Sequence, residues 1–104
     1  MTHAPRHLMP RTRQWWTRCA KENNLKEPRL QLLTLAGEAW DRSTQARTLL
    51  EQNGLTYLDR FGQPRPRPEV DIEKNAKLLF EKLVRCLELE DQNVPAWLKN
   101  ARLK

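Results

Sequence analysis

Glycine and cysteine are scarce in this sequence, and long apolar runs are missing. Only three of its 104 residues are glycine, and neither a G-x-x-x-x-G-K-[ST] nor a G-x-S-x-G motif occurs. Cys19 and Cys86 lie far apart without C-x-x-C spacing, so they suggest no zinc site and no disulfide framework. We expect both to be small buried apolar residues in a reducing cytoplasm. No apolar run approaches the ~18 residues of a membrane span, so no membrane partner is predicted.

Groups that could carry catalysis or hold a metal are also missing. No constellation of nucleophile, base and orienting residue can be assembled, and no acidic cluster has metal-ligand spacing. His3 and His7 have an i,i+4 spacing that could hold a metal, but no third ligand accompanies them. The sequence therefore predicts a protein that is not an enzyme and that uses neither metal nor cofactor.

The composition is polar and basic. A length of 104 residues predicts one domain, and 38% apolar residues with a mean hydropathy of −0.84 predict a thin core. We infer that such a chain completes its burial in an oligomer. The net charge of +6 suits nucleic acid or another acidic partner. Cations are concentrated at both ends and in residues 54–70, whereas 25–53 and 71–92 are neutral or acidic.

Apolar periodicity predicts a mainly α-helical fold. We expect a short N-terminal helix, two long antiparallel helices joined by a short β-hairpin flap, and a small C-terminal helical tail. Pro10 fits the first turn of a helix, and Gly54 fits the residue that follows one. The predicted ranges are 1–9 for a flexible arm, 10–23 for the first helix, 28–53 for the second, 55–60 against 63–66 for the flap, and 68 or 71 to 89 for the third. Residues 10–90 then form the domain, and 91–104 form a basic tail in which Trp97 and Leu98 dock one more turn.

Both long helices are amphipathic. The apolar side of the second helix holds Leu32, Leu33, Leu35, Ala36, Ala39, Trp40, Ser43, Ala46, Leu49 and Leu50, and its polar side holds Thr34, Glu38, Asp41, Gln45, Thr48 and Gln52. The apolar side of the third helix holds Ile72, Ala76, Leu79, Phe80, Leu83, Cys86 and Leu87. In the second helix, the small residues Ala36, Ala39, Ser43 and Ala46 let another helix approach closely, either within the chain or from a neighbour.

The first helix region is rich in cations and tryptophan. Its basic residues are Arg6, Arg11, Arg13, Arg18 and Lys21. They could contact DNA phosphates, or they could be no more than the solvated face of a basic protein. The spacing does not require one continuous basic stripe. Of the adjacent Trp15 and Trp16, we expect one in the core and the other partly exposed, which favours an interface.

The stretch "GLTYLDRFGQPRPRPEVD", residues 54–71, carries the strand-like pattern. Gly62 marks its turn, and the prolines make the second arm an edge strand because they cannot donate ladder hydrogen bonds. Arg60, Arg65 and Arg67 could reach DNA. Alternatively, the flap packs on a neighbouring subunit by strand addition or by docking of Tyr57 and Phe61, and the exposed aromatic edge favours this second use.

The order of these pieces resembles the small subunit of phage terminases. A long helix closing in "LLEQNGL" precedes the flap "DRFGQPRPRPEV" and a helix ending "LFEKLVRCLEL". The matching residues are Leu35, Ala39, Trp40, Arg42, Ala46, Leu50 and Gly54, then Gly62 and Pro68, then Ala76, Phe80, Leu83, Leu87 and Leu89. The similarity covers roughly residues 11–90. The chain departs from the family after it, with "LELEDQNVPAW" in place of "LgLtPssRarl".

The resemblance implies a non-enzymatic subunit in the host cell cytoplasm. It would recognise double-stranded viral DNA as a homo-oligomeric ring and deliver that DNA to the large subunit, which carries the packaging ATPase and nuclease. The predicted DNA-binding residues are Arg6, Arg11, Arg13, Arg18, Lys21, Arg60, Arg65 and Arg67. The predicted oligomer interface is Trp16, Ala36, Ala39, Trp40, Ser43, Ala46, Tyr57 and Phe61.

Two other functions fit the composition. One is a small DNA-binding transcriptional regulator, although no pair of short helices joined by a tight turn is visible. The other is a helical adaptor protein in which the basic charge is incidental. The tail cations Lys99, Arg102 and Lys104 could serve only to keep the chain soluble.

Overall fold

A computed structural model describes residues 3–98. Its elements are α1 (Pro10–Glu22), α2 (Arg29–Asn53), β1 (Thr56–Leu58), β2 (Pro64–Pro66) and α3 (Pro68–Leu87), followed by a 3₁₀ turn at Asp91–Asn93. The strands β1 and β2 form an antiparallel hairpin between the two long helices. The structure thus confirms the predicted mainly helical fold with its β-hairpin. Within residues 3–98, no helix has both the length and the apolar character needed to cross a membrane.

Proline and glycine set the helix ends where the sequence places them. Pro10 and Pro68 are the first residues of α1 and α3, where a missing N–H costs no helical hydrogen bond. Gly54 follows α2 with φ +84°, a conformation that side chains disfavour, and its N–H donates to the carbonyl of Leu50 at 2.7 Å. These local signals explain why each observed helix or strand end lies within two residues of a predicted one.

The long helices α2 and α3 run antiparallel and are tied at both ends. The Arg29 guanidinium at the start of α2 donates to the carbonyl of Leu87 at the end of α3, at 2.7 Å. This cation satisfies a terminal carbonyl and also complements the negative end of the α3 dipole. Near the flap end, Arg47 of α2 donates to Glu73 of α3. The core between the helices includes Leu33, which is fully buried.

An aromatic cluster joins α1 and the C-terminal segment to this helix pair. Phe80 is almost completely buried, and its ring centroid lies 5.6 Å from that of Trp15 and 5.2 Å from that of Trp40. Trp97 stacks on Trp40 at 6.0 Å with an interplanar angle of 13°. The neighbouring Trp16 is buried, whereas Trp15 is half-buried. The predicted division between one core and one partly exposed tryptophan is confirmed.

Residues 91–98 belong to the packed domain. Val94 and Leu98 are buried, and the carbonyl of Asn93 accepts a hydrogen bond from the Trp15 indole N–H at 2.8 Å. The predicted docking of Trp97 and Leu98 is confirmed, but the prediction of a basic tail from residue 91 is wrong for this stretch. Its apolar side chains complete the aromatic cluster. The tail cations Lys99, Arg102 and Lys104 lie outside the described residues.

Residues 4–9 are held against α2, so the prediction of a flexible arm is wrong for them. Leu8 is buried, and its side chain approaches Gly37 so closely that a Cβ there would lie 3.1 Å from a Leu8 methyl. The Met9 N–H donates to the Asp41 carboxylate at 2.8 Å, and the Thr12 hydroxyl donates to the other oxygen of that carboxylate. Asp41 therefore satisfies donors at the start of α1 from across the helix interface.

We expect Asp41→Ala to destabilise the fold by about 1–3 kcal/mol, because it leaves the buried Thr12 hydroxyl and the part-buried Met9 N–H without their acceptor. Urea denaturation followed by circular dichroism measures this loss as a lower midpoint. Glu38→Ala is the matched control, since Glu38 lies one turn earlier and binds only His7 at the surface. Equal effects of the two variants would contradict the role of Asp41.

The apolar faces of α2 and α3 are narrower than the helical wheel predicted. Five of the residues that the wheel assigns to these faces are exposed, not buried: Leu35, Leu49, Ile72, Leu79 and Cys86. The polar Asp41 and Glu73 are buried instead. The prediction is wrong at these five positions because a helical wheel assigns every apolar residue to one arc. The real contact surface is decided by where α1 and the partner helix lie.

Glu73 is a buried carboxylate with cations on both sides. Arg47 donates to it from Nε at 2.9 Å and from Nη2 at 2.7 Å, and Lys77 Nζ lies 3.1 Å from it. The hydrogen bonds from Arg47, followed by those from Lys77, hold its pKa below the ordinary value of 4.5 against the opposing effect of burial. Arg47 and Lys77 are half-exposed, so water screens part of this attraction.

We expect the ionised Glu73 carboxylate to stabilise the fold above about pH 4.5 and to lose this effect as the pH falls through its lower folded pKa. Glu73→Gln should therefore cost about 1 kcal/mol near neutral pH and much less in acid. Thermal denaturation of both proteins at several pH values measures this convergence. The exposed Glu27→Gln serves as control, and a pH-independent Glu73→Gln effect would contradict the assignment.

Candidate nucleic-acid interface

The exposed side of α1 is cationic along its whole length. Thr12, Trp16 and Cys19 point into the protein. At 100° per residue, the cations and uncharged polar residues that remain fall within about 160° of the helix circumference. They are Arg11, Arg13, Gln14, Thr17, Arg18 and Lys21. The one acid of α1, Glu22, lies at the edge of this arc, where its carboxylate accepts hydrogen bonds from Gln92 and Asn93. The buried residues fix this orientation, so the cations that the spacing left scattered form one basic face, which we call the α1 basic face.

The cations of this face are free of carboxylates. Within residues 3–98, none of Arg11, Arg13, Arg18 and Lys21 forms an ion pair, and the same holds for the nearby Arg6. By contrast, the ion-paired cations of the long helices are Arg47, Lys77 and Arg85. The Arg13 guanidinium donates to the carbonyl of Arg6 at 3.3 Å, and Arg13 lines a shallow surface groove with Pro10, Gln14, Thr17 and Arg18. These guanidinium and ammonium groups are available to phosphate oxygens.

A small cavity lies beside the α1 basic face. It measures about 150 Å³ and is mostly apolar, and its lining is Arg11, Thr12, Trp15, Trp40, Phe80 and Pro95. The tryptophan faces could stack on a base only if that base left a duplex, because duplex DNA hides its base faces. We assign this cavity to the aromatic packing of the domain.

The cations of the flap form more contacts with other side chains than the cations of α1 do. Asp59 accepts hydrogen bonds from the backbone N–H groups of Phe61 and Gln63 at 2.8 and 3.0 Å, and from Arg65 Nε at 3.0 Å. The bond from Gln63, followed by that from Arg65, lowers the pKa of Asp59. Arg60 lies over the Phe61 ring at 5.0 Å. The Asp59 carboxylate thus fixes the loop and balances the charge of Arg65, so the flap contributes less free positive charge than predicted.

Arg67 lies at the base of the flap and is half-buried. Its N–H donates to the carbonyl of Leu55 at 2.9 Å, which closes the hairpin where it joins the helices. Its exposure is lower than that of Arg60 and Arg65. All three predicted flap cations therefore lie together on one projection, but Arg60 is the one that the structure leaves fully at the surface without an ion pair in the described chain.

Most of the predicted oligomer-interface residues are used inside one chain. The buried ones are Trp16, Ala36, Ala39, Ser43 and Ala46. The small residues of α2 are thus enclosed within the protomer, so of the two alternatives for this seam the structure shows the first. Trp40 is half-buried beneath Trp97. Tyr57 and Phe61 are 43% and 74% exposed, so of the eight predicted residues these two offer the most surface to a second subunit.

An exposed apolar ridge on the helix pair was missed as a candidate interface. Leu35 and Leu49 of α2, and Ile72, Leu79 and Cys86 of α3, are exposed and recur at multiples of seven residues. Seven residues bring a side chain back to within about 20° on a helix, so each set follows one side of its helix. Leu35 lies about 200° from Gly37, which contacts the N-terminal segment. The seven-residue recurrence was the signal in the sequence.

No metal-binding cluster stands out near these surfaces. Among residues 3–98, no group of three or more His, Cys, Asp or Glu side chains is arranged to hold a metal ion. His7, which the sequence pairs with His3, lies with its Nε2 atom 2.7 Å from a Glu38 carboxylate oxygen. This contact occupies one nitrogen of the imidazole and helps to hold the N-terminal segment on α2.

Comparison with known proteins adds no relative. No family model matches the chain, and neither the curated proteins nor the solved structures include a significant match. Functional assignment therefore rests on the α1 basic face, the exposed flap and the apolar ridge.

Proposed function

We propose that this protein is a non-enzymatic DNA-recognition subunit, similar to the small subunit of phage terminases. It would bind double-stranded viral DNA as a homo-oligomeric ring in the host cell cytoplasm and deliver that DNA to the large ATPase and nuclease subunit. The observation that supports this most is the α1 basic face, whose four cations have no carboxylate partner in the described chain. Unpaired cations on one rigid helix suit the phosphate backbone.

The binding step follows from repetition of this face. A single α1 makes few phosphate contacts, and each releases counterions from DNA and adds modestly to affinity. In an oligomer, several copies of α1 face one duplex, so the later contacts form at a high effective concentration. Phosphate contacts carry no sequence information directly, so this face would position DNA.

The assembly step uses surfaces that the protomer leaves exposed. The apolar ridge of α2 and α3 offers Leu35, Leu49 and Leu79, which are each more than 40% exposed. Exposed apolar side chains that recur along one side of a helix are typical of a subunit contact. The flap offers Tyr57 and Phe61 as further contacts.

The two alternatives differ in how they fit the structure. A regulator with a helix-turn-helix needs a tight turn of three or four residues, whereas residues 23–28 separate α1 from the 25-residue α2. A helical adaptor is favoured by the exposed ridge and by the internal pairing of Arg65 with Asp59. An adaptor would assemble but would not bind DNA.

Size-exclusion chromatography with light scattering, run with and without a short DNA duplex, tests the proposal. We expect a mass well above that of a dimer for the protein alone and a heavier complex that co-elutes with DNA at low salt. An oligomer that never co-elutes with DNA would leave the adaptor function. A monomer that stays monomeric on DNA would contradict the ring.

A further inference from the structure

The hairpin has one edge with a full set of backbone hydrogen-bonding groups. Asp59 N–H donates to the Gln63 carbonyl and Arg67 N–H donates to the Leu55 carbonyl, so these pairs are hydrogen-bonded across the hairpin. Because bonded and non-bonded pairs alternate in an antiparallel ladder, Tyr57 faces Arg65 in a bonded pair. The N–H and C=O groups of the intervening residues, Thr56 and Leu58, therefore point outward from β1.

The other edge of the hairpin lacks donors. The non-bonded partners of Thr56 and Leu58 are Pro66 and Pro64. The backbone nitrogen of each proline is at the outward position, where it carries no hydrogen. An incoming strand could donate to β2 but could receive nothing from these residues. Of the two strands in the described chain, β1 alone offers both donors and acceptors along its free edge.

We propose that β1 pairs antiparallel with β1 of a second copy of this chain, about a two-fold axis at Tyr57. Thr56 of each copy then faces Leu58 of the other, and each such pair exchanges both backbone hydrogen bonds. The two hairpins form one continuous sheet in the order β2, β1, β1, β2. Pairing of β1 with β2 of another copy would form only half of these bonds, because Pro64 and Pro66 cannot donate.

The side chains of the flap are compatible with this pairing. Tyr57 and Arg65 are opposite each other and lie on the same face of the sheet, so in the paired sheet the two Arg65 side chains lie on the outer strands, on either side of the two tyrosines. Each Arg65 is already paired with Asp59 at 3.0 Å, which offsets its charge. Leu58 is 69% exposed in the protomer, and this apolar side chain gains a cover from the second strand.

The flap is also rigid enough to act as a template. The Asp59 carboxylate accepts from Phe61 and Gln63 and so fixes the turn, and Gly62 takes a φ of +76° that closes it. A strand held in its paired geometry loses little freedom on association. An exposed strand edge that is already held in this geometry is a site at which a second chain can add a strand.

This inference rests on the oligomeric part of the proposed function and is independent of DNA binding. A two-fold contact joins subunits in pairs, so a ring needs a second contact as well. The apolar ridge on α2 and α3 is the surface that remains for it. The flap would thus set the pairing of subunits, and the ridge would extend the assembly.

Site-specific disulfide trapping tests the register. Facing residues in a non-bonded pair have Cα atoms about 4.5 Å apart, within the range that a disulfide spans. Tyr57→Cys, in a Cys86→Ser background, should form a covalent dimer under mild oxidation. The remaining Cys19 will not compete, because it is buried and burial raises its pKa to about 12.

Two controls make the trapping specific. Leu58→Cys places the thiols diagonally across the axis, and Arg65→Cys places them on the outer strands, both beyond the reach of a disulfide. We expect Tyr57→Cys to form the dimer at least about tenfold faster than either control, because of this geometry. Equal rates for all three, or no dimer from Tyr57→Cys, would overturn the proposal.

A proline variant tests the same edge without new thiols. Leu58→Pro removes an outward N–H that takes no part in the hairpin ladder, so the protomer should keep its helical circular dichroism. The mass of the variant by light scattering should fall to that of an assembly without the β1–β1 contact. An unchanged mass would overturn the proposal. If the disulfide forms but the protein does not bind DNA, only the proposed function is contradicted. If the protein binds DNA but no register-specific disulfide forms, only the strand pairing is contradicted.

Discussion

Phe80→Ala is expected to remove a large share of the stability of the fold. The Phe80 ring is only 1% exposed and touches Trp15, Trp40 and Trp97, so its removal leaves a cavity where α1, the long helices and the C-terminal segment meet. Truncation of a buried phenylalanine to alanine lowers the free energy of unfolding by about 3–5 kcal/mol. Single domains are stable by only about 5–15 kcal/mol in total, so this loss is a large share of the stability.

Denaturant titration followed by tryptophan fluorescence measures this loss directly, because the tryptophans surround the deleted ring. The control is Leu78→Ala, two residues away on α3, whose side chain is 53% exposed. It should change the unfolding free energy by less than about 0.5 kcal/mol. A Phe80→Ala effect no larger than that of Leu78→Ala would show that the aromatic cluster does not organise the core.

Neutralising the α1 basic face is expected to abolish most DNA affinity. The triple variant Arg11→Gln, Arg18→Gln and Lys21→Gln removes three exposed cations that form no ion pair among residues 3–98. If each contacts one phosphate, binding near physiological salt should weaken roughly 100-fold per engaged protomer. The salt slope, the change of log affinity with log salt, should fall by about one for each lost cation. Fluorescence anisotropy with a labelled duplex measures both quantities.

A matched variant separates the site from the overall charge. The variant Lys74→Gln, Lys82→Gln and Arg85→Gln removes the same charge from exposed positions on α3. Its DNA affinity should fall much less, because only diffuse attraction is lost. If the two triple variants lose affinity equally, the α1 basic face is not the binding site.

The element boundaries were readable from the sequence because local chemistry decides them. Pro10 and Pro68 start helices, Gly54 ends one, and Gly62 turns the hairpin, whatever the rest of the chain does. The apolar pattern that runs unbroken from Pro28 to Asn53 likewise makes α2 the clearest prediction. These features depend on residues that are close together in the sequence, so the sequence alone predicts them.

The packing of residues 4–9 was not readable in the same way. Leu8 and Asp41 are brought together only by the fold, and Asp41 was assigned to the polar side because carboxylates favour water. One signal was present. Gly37 lies inside a helix, where glycine costs about 1 kcal/mol, and such a residue indicates close approach of another segment.

Only part of the candidate site could be predicted from the sequence. The cations of α1 were named correctly as a group at the surface, but their gathering on one face depends on which side of α1 is buried. The seam of small residues on α2 lies inside the protomer for a related reason. Ala36 and Ala39 suit any close helix contact, and α2 uses them within the chain, which leaves the apolar ridge at Leu35 and Leu49 for other contacts.

The most direct test of the central claim is the affinity of the intact protein for duplex DNA across a range of salt concentrations. The account predicts that log affinity falls linearly and steeply with log salt, with a slope larger than the contacts of one α1 could give. That steepness would reflect several α1 basic faces on one duplex. An affinity that is weak and nearly independent of salt would contradict it.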